Sequence, residues 1–385
     1  MAGSSELERR LRARLAERDA GGLTRRLQAP RGIDLSSNDY LCLSRHPSLK
    51  ERMAEAVARE GCGSTGSRLL RGERECFTHL EQRFAAFKGA ERALYFSSGY
   101  LANLAVLTVL AEDGDVIYSD ERNHASLIDG MRLSRARRVI FPHTDAEGLE
   151  RLLRQESGGG QRFVVTESLF SMDGDVAPLA DYAALCRAHG AALIVDEAHA
   201  VGIYGDRGSG LIEADGIEAL VSVNTAGKAL GVSGAFAAGP AWAIESLIQQ
   251  GRPFIFSTAA PPAVAAALEA SLELIEREPW RRELLRDRAG FLRRKLGEAG
   301  VPVTAGVSQI IPVMLGENER ALRVAAALQR EGFDARAIRP PSVAPGTARL
   351  RLSVNTDLSE ATLDRFVAVL ADALQEAAVC SAASS

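Results

Sequence analysis

Apolar and polar positions along the chain fall into two alternating rhythms. Leu7, Leu11 and Leu15 recur every four residues among charges, which predicts an amphipathic helix over residues 5–19. An irregular stretch with Gly21, Gly22 and Pro30 follows. The run Ile33-Asp34-Leu35, and then Ser36-Ser37-Asn38-Asp39-Tyr40, predicts a strand ending in a polar turn. Helical spacing returns over 48–60 and 75–87, the second helix stopping near Gly89. Between them, residues 61–68 form a glycine-rich loop with no apolar period. From Ala93 to Ala238, short apolar runs alternate with helix-length segments; the runs are 93–96, 115–118, 138–141, 163–166, 191–195, 220–223 and 235–238. That alternation predicts an α/β fold with a mostly parallel central sheet flanked by helices. Only ten residues, 224–233, separate the last two runs. That is too few for a helical crossover, so the final strand is expected to be antiparallel.

Residues 261–298 read as long helices carrying Ala and Leu on one face. A smaller α+β region follows, with strands near 310–315 and 348–354 and helices near 319–331 and 359–377. The expected division is an N-terminal helix and arm (1–45), a large α/β domain (46–280) and a small C-terminal α+β domain (281–385), with disorder from about Ser381.

At 385 residues the chain can bury a sizeable core. Its 46 basic and 50 acidic side chains leave a net charge of −4, giving no electrostatic reason to expect nucleic acid or an anionic membrane as partner. No stretch reaches the ~18 uninterrupted apolar residues of a membrane span. Met1 to Arg10 lacks the apolar core of a secretion signal, so a cytoplasmic location is expected. The five cysteines (42, 62, 76, 186 and 380) are never spaced C-x-x-C; they fit a reducing compartment and read as core filler, with no metal site.

Open α/β sheets bind ligands beyond the carboxyl ends of their strands, and four polar clusters stand there. Ser97-Ser98-Gly99-Tyr100 opens an apolar helix, whose unpaired N–H groups suit a phosphate. Asp196-Glu197-Ala198-His199 follows the run 191–195. Asp196 either caps a turn or holds a protonated ring nitrogen. Asp-Glu-Ala-His is also a nucleotide motif of certain RNA helicases, but the only Gly-Lys pair, Gly227-Lys228, comes after it, is succeeded by Ala229, and has Ser222 where the first glycine of a phosphate loop belongs. Lys228 itself, set among Ala, Gly, Leu and Val between two core strands, is either a turn cap or a desolvated amine nucleophile. Thr225 stands three residues before it. His124 either stacks on a planar ring or caps the next helix. Together the clusters supply a phosphate cradle, a stacking ring, an acid for a ring nitrogen and a sheltered amine. That set is what a pyridoxal 5'-phosphate (PLP) site requires.

The chain resembles the α-oxoamine synthases, a family of fold-type I PLP-dependent transferases, from about Leu35 to Leu352. The matching motifs are Ser36 to Leu41, Ser98-Gly99-Tyr100, His124-Ala125-Ser126, Phe170 to Asp175, Asp196 to Ala200, Thr225 to Lys228 and Gly346 to Arg351. Gly63 to Leu69 is most similar to the biotin-pathway branch, whose members join L-alanine to pimeloyl-CoA or a pimeloyl carrier protein. Other branches use glycine or serine with other acyl-CoA donors. The chain departs from that branch at Phe77, where a histidine is usual, and at Thr24, where an arginine is expected and Arg25 or Arg26 stands beside it.

The resemblance implies roles residue by residue. Lys228 captures the cofactor aldehyde and later removes the α-proton. Asp196 keeps the pyridine nitrogen protonated, and His124 stacks on the ring. His199 and Ser171 bond the phenolic oxygen. The amides of Gly99 and Tyr100, with Thr225, hold the phosphate. Arg25, Asn38, Thr347 and Arg349 contact substrate, Arg349 gripping a carboxylate; Arg351, on the same face of its strand, is either a second grip or a solvated edge residue. The resemblance further implies a homodimer in which Thr258 reaches the phosphate of the partner copy. A protein that keeps the fold without catalysis is the competing reading.

Overall fold

The computed structural model describes residues 5–155, 158–304 and 306–382, with side chains of the last helix up to Ala377. Among them the elements begin with α1 (Glu6–Ala20), β1 (Ile33–Asp34), α2 (Pro47–Glu60), α3 (Glu75–Lys88), β2 (Arg92–Phe96), α4 (Gly99–Leu110), β3 (Val116–Asp120), α5 (Ala125–Leu133), β4 (Arg137–Phe141), α6 (Ala146–Gln155), β5 (Arg162–Glu167), α7 (Leu179–His189) and β6 (Ala191–Asp196). They continue with α8 (Leu211–Ala214), β7 (Val221–Thr225), β8 (Ala235–Gly239), α9 (Ala241–Gln250), α10 (Arg252–Ile255), α11 (Pro262–Arg277), α12 (Trp280–Glu298), β9 (Ile310–Gly316), α13 (Asn318–Arg330), β10 (Phe333–Asp334), β11 (Ala337–Ile338), β12 (Ala348–Ser353) and α14 (Glu360–Ala382).

One compact unit comprises residues 38–171 and 175–284. Its seven-stranded sheet has the order β2-β8-β7-β6-β5-β3-β4. The neighbouring pairs from β7 to β4 are parallel, while β8 runs antiparallel to both β7 and β2. All seven predicted runs are therefore strands of one sheet, and the short link before β8 does reverse the chain. Helix α4 is apolar almost all round; it packs on the sheet and against α5, α9 and α10, with Ala102, Asn103, Ala105, Val106 and Leu107 buried. Its start is fixed locally: the Ser98 side chain accepts the Leu101 N–H. On the other face, Phe84 of α3 lies flat on Phe236 of β8, with centroids 3.9 Å apart and planes within 9°.

The second unit comprises residues 1–37, 172–174 and 285–385. Its sheet, β11-β12-β9, is antiparallel. The expected division placed residues 1–45 in a separate arm; instead 1–37 share a compact unit with the C-terminal segment. Ile33 and Asp34 pair in parallel with Phe333 and Asp334, and the Ser353 N–H donates to the Leu35 carbonyl. Two-residue strands are too short to show a period of two, and so β10 and β11 have no signature in the sequence.

Three smaller expectations are also corrected. Helix α14 continues past Ser381 to Ala382, in keeping with its alanine-rich end, and residues 383–385 lie outside the described residues. Of the cysteines, only Cys186 is core; Cys62 is exposed, Cys42 and Cys76 are half-buried, and the Cys380 side chain lies outside the described residues. The leucines of α1 are on a helix as predicted, but all three are exposed. Among the described residues no helix is long and apolar enough to cross a membrane.

Phe84 and Phe236 are both fully buried. Phe84→Ala is expected to destabilise the protein by ~3–5 kcal/mol, the cost of a large aromatic cavity, seen as a lower urea midpoint with an unchanged slope.

Candidate active site

Strands β2, β3, β5, β6 and β7 all end at the same edge of the large sheet, and the turns beyond them hold the predicted residues. Asp196 closes β6 and is 6% exposed. A carboxylate that far from water needs a donor for each oxygen. The Ala198 N–H donates to Oδ1 at 2.8 Å and the Asn103 carboxamide to Oδ2 at 2.7 Å. Asn103 reaches there from α4, where it is the only carboxamide in an apolar helix. The same Nδ2 donates to Ser126 Oγ at 2.9 Å, and that hydroxyl lies 2.8 Å from His124 Nδ1. With its oxygen taken by Asn103, the Ser126 proton goes to Nδ1, placing the ring proton of His124 on Nε2. His124 caps α5, as one of the two readings proposed, and its imidazole is exposed beside the strand ends. Its pKa is pushed down by desolvation and by Lys228, against the pull of Asp196.

A second chain of bonds starts at Lys228, which is half-buried in the turn after β7. Its Nζ donates to His199 Nε2 at 2.8 Å, so the imidazole proton is on Nδ1 and is donated to Tyr40 Oη at 2.7 Å. Tyr40 passes its own proton to Asn38 Oδ1 at 3.0 Å. Lys228, His199 and Asn38 are therefore brought together, with Tyr40, fully buried, as the link that sequence reasoning missed.

Gly99 and Tyr100 occupy the first two positions of α4, whose N–H groups have no carbonyl within the helix to meet. Thr225 closes against them: a Cβ on residue 99 would stand 2.3 Å from Thr225 Oγ1. Two free amides and a hydroxyl at a helix N-terminus form a cradle for a phosphate-sized anion, open only because residue 99 is glycine. Thr258 is exposed and shares with Ser97 a small cleft of about 20 Å³. A larger cleft of about 390 Å³, lined by Arg83, Phe87, Arg207 and Arg282, contains none of the site residues. Phe77, in place of the usual histidine, is core: its ring is 5.2 Å from that of Tyr95, and the Arg68 guanidinium covers it at 5.1 Å.

Ser171 sits in the turn after β5, and a charged clamp holds that turn. His143 donates from Nδ1 to Asp120 at 2.9 Å and from Nε2 to Asp175 at 2.5 Å. Both ring nitrogens donate, so the ring is an imidazolium. Burial alone would push its pKa down, but the two carboxylates raise it to about 9. The ring also meets Phe170 edge-on at 4.4 Å. His143 carried no motif in the sequence.

The remaining candidates belong to the second unit. Arg25 donates to Ser342 Oγ at 3.3 Å, a residue that sequence reasoning did not single out. Thr347 donates its hydroxyl to the Ala344 carbonyl at 2.7 Å within its own turn. Arg349 pairs through Nη1 with Asp173 at 2.5 Å and donates from Nε to the Thr347 carbonyl at 3.1 Å. Arg351, open between a second grip and a solvated residue, is only 6% exposed and donates to Ser353 Oγ at 2.7 Å. Neither arginine is a solvated edge residue.

The aminotransferase class I and II family pattern matches residues 30–370. The chain belongs to that family. Within it, the chain is 47% identical over 342 residues to the 8-amino-7-oxononanoate synthase of Geobacter sulfurreducens, covering 88% of this chain and 87% of that one. A solved structure of SPT with a PLP internal aldimine superposes with a TM-score of 0.91 at 30% identity, covering 97% of this family member and all of its counterpart. The 8-amino-7-oxononanoate synthase of Francisella tularensis superposes with a TM-score of 0.78 at 28% identity over 90% and 98% of the two chains.

The clamp on the Ser171 turn has a definite pH dependence. Its imidazolium has a folded pKa near 9 against 6.5 for a free ring, so its stabilisation is complete below pH 6.5 and fades as pH rises through about 9. Screening by water at the half-buried ring leaves about 1–2 kcal/mol of the shift as stability. His143→Gln should lower the urea-unfolding free energy by that amount at pH 6.5 and leave it nearly equal to wild type at pH 10.

Proposed function

We propose that the chain is a PLP-dependent 8-amino-7-oxononanoate synthase, condensing L-alanine with a pimeloyl thioester and releasing CO₂ and the thiol of CoA or of a carrier protein. The observation that carries the reading is Lys228 bonded to His199 at the same strand ends where Asp196 is held by two donors. PLP, when bound, supplies an aldehyde for amine capture and a protonated ring that draws electrons from the amino acid's α-carbon.

The protein's own groups do the rest. Asp196, fixed by Asn103 and Ala198, keeps the proton on the ring nitrogen through a charge-assisted bond. The amides of Gly99 and Tyr100 and the Thr225 hydroxyl take the phosphate. His124 covers one face of the ring, and Ser171 and His199 bond the phenolic oxygen. Lys228 would hold the cofactor through its amine, and that amine, when free, would be the base for the α-proton, with His199 keeping it in place. Asn38, at the far end of the same bonded chain, serves the substrate carboxylate, as does Arg349, which Asp173 meanwhile keeps in position. Arg25 serves the acyl donor. The working form is a homodimer in the cytoplasm, with Thr258 of one copy completing the phosphate site of the other; the exposed leucines of α1 and the exposed Phe256 support a covering partner.

The choice of substrates rests on relatives at 44–47% identity that carry the 8-amino-7-oxononanoate synthase name. A serine palmitoyltransferase-like activity is the second reading, favoured by the SPT superposition at a TM-score of 0.91; glycine C-acetyltransferase is a third of the same chemistry. Release of thiol with L-alanine, glycine or L-serine against pimeloyl, acetyl or palmitoyl thioesters separates them. The L-alanine and pimeloyl pair is expected to give the highest kcat/KM, and a preference for glycine or serine overturns the assignment. Lys228→Ala should lose both turnover and the visible absorption of the PLP-loaded protein.

Asn103→Leu keeps the branched outline of the side chain but leaves Asp196 Oδ2 without its carboxamide donor. A hydrogen bond to a charged group contributes about 1.5–3 kcal/mol, so PLP affinity, read by absorbance titration of the apoprotein, should fall at least about tenfold.

A further inference from the structure

A second buried carboxyl stands beside Asp196, and none of the roles above uses it. Glu167 ends β5 and is the direct partner of Asp196 in the parallel ladder. Partners across parallel strands project to the same face about 4.8 Å apart, so two carboxyls lie side by side at the end of the sheet. Glu167 is 3% exposed. Their surroundings differ in one respect. Both oxygens of Asp196 have donors, whereas Glu167 Oε1 is buried and has no hydrogen-bond partner among the described residues. Two adjacent carboxyls in a dry site do not both ionise. The proton stays on the one whose charge is less well solvated by donors.

We propose that Glu167 is a positioning residue that keeps its proton while Asp196 carries the charge, and that loss of this proton sets the alkaline limit of the working site. The proposal rests on the PLP reading only in what the site is for; the sharing of the proton is a property of the protein alone. The groups that act on Glu167 come from each packed element. Asp196 of β6 and burial favour the neutral acid, while Lys228 of the β7–β8 turn and the amides of His124 and Ser171 oppose it, with a balance near pH 8. From the β3 side comes the neutral Asn123, whose Oδ1 accepts the Glu167 N–H at 3.1 Å. Above that pH a second negative charge would stand next to Asp196 and Lys228. It would strengthen the pull on any proton those groups share with a ligand and weaken the asymmetry between ring nitrogen and amine.

Infrared difference spectra of the apoprotein, taken between pH 6.5 and 9.5, test this without cofactor or activity. A protonated-carboxyl C=O band should disappear as pH rises, and Glu167→Gln should lack that change. Asp196→Asn, which removes the neighbouring charge, should move the transition to lower pH, and this serves as the check if Glu167→Gln does not fold. In the PLP-loaded protein, the visible absorbance should show an alkaline step that Glu167→Gln removes. No carboxyl transition in wild type, a transition that survives in Glu167→Gln, or one that Asp196→Asn leaves unmoved would each overturn the proposal. A wild type that binds no PLP would sink the functional reading while leaving the infrared result to decide on Glu167.

Discussion

A carboxylate placed where water does not reach is expensive unless each of its oxygens meets a donor, and the edge of the large sheet is organised around meeting that demand for Asp196. One donor comes from its own turn, the Ala198 N–H; the other comes from the core helix, the Asn103 carboxamide. Supplying the second donor fixes the depth of α4 against β6. It also fixes Ser126 and, through it, the proton position on His124. The apolar packing of α4 is thus made specific by a single polar residue: dispersion holds the helix in the core, and one amide sets its register there.

The Lys228 chain obeys the same logic with opposite sign. An amine half out of water is kept in place by a neutral imidazole, the imidazole by a phenol, and the phenol by a carboxamide. With Lys228 donating to Nε2, the His199 proton sits on Nδ1 and faces Tyr40, so the tautomer of His199 follows from the identity of these neighbours. The two chains meet at the strand ends with Asp196 and Lys228 as their termini, each within electrostatic reach of His124. An acid and an amine brought to the same strand ends are an arrangement suited to polarising a ligand.

Much of this was legible in the sequence. All seven runs from 93 to 238 appear as strands because each is a short apolar segment bounded by turn residues, and the reversal of β8 follows from the length of its link alone. Strand order was not legible, since pairing joins residues far apart in the chain. Lys228, Asp196, His124 and His199 stood out because polar groups amid apolar runs at strand ends have few structural uses. Asn103 left a fainter trace, a lone carboxamide in an apolar helix. His143 and Glu167 left none, because their significance lies in which carboxyls face them across the fold. The partner of Arg349 was not legible for a related reason: strand alternation places a guanidinium on a face but is silent about an acid such as Asp173 already waiting there.

The contact between Gly99 and Thr225 carries one more consequence. Helix start and strand end meet with room for a hydrogen atom but not a methyl group, one wall of the socket being the Gly99 backbone and the other the Thr225 side chain. The backbone wall shifts only if α4 is pried from the sheet at the expense of the shared core, whereas the hydroxyl wall shifts with the Thr225 side chain. A variant that accepts a bulkier anion should therefore be sought at residue 225, with residue 99 kept as glycine.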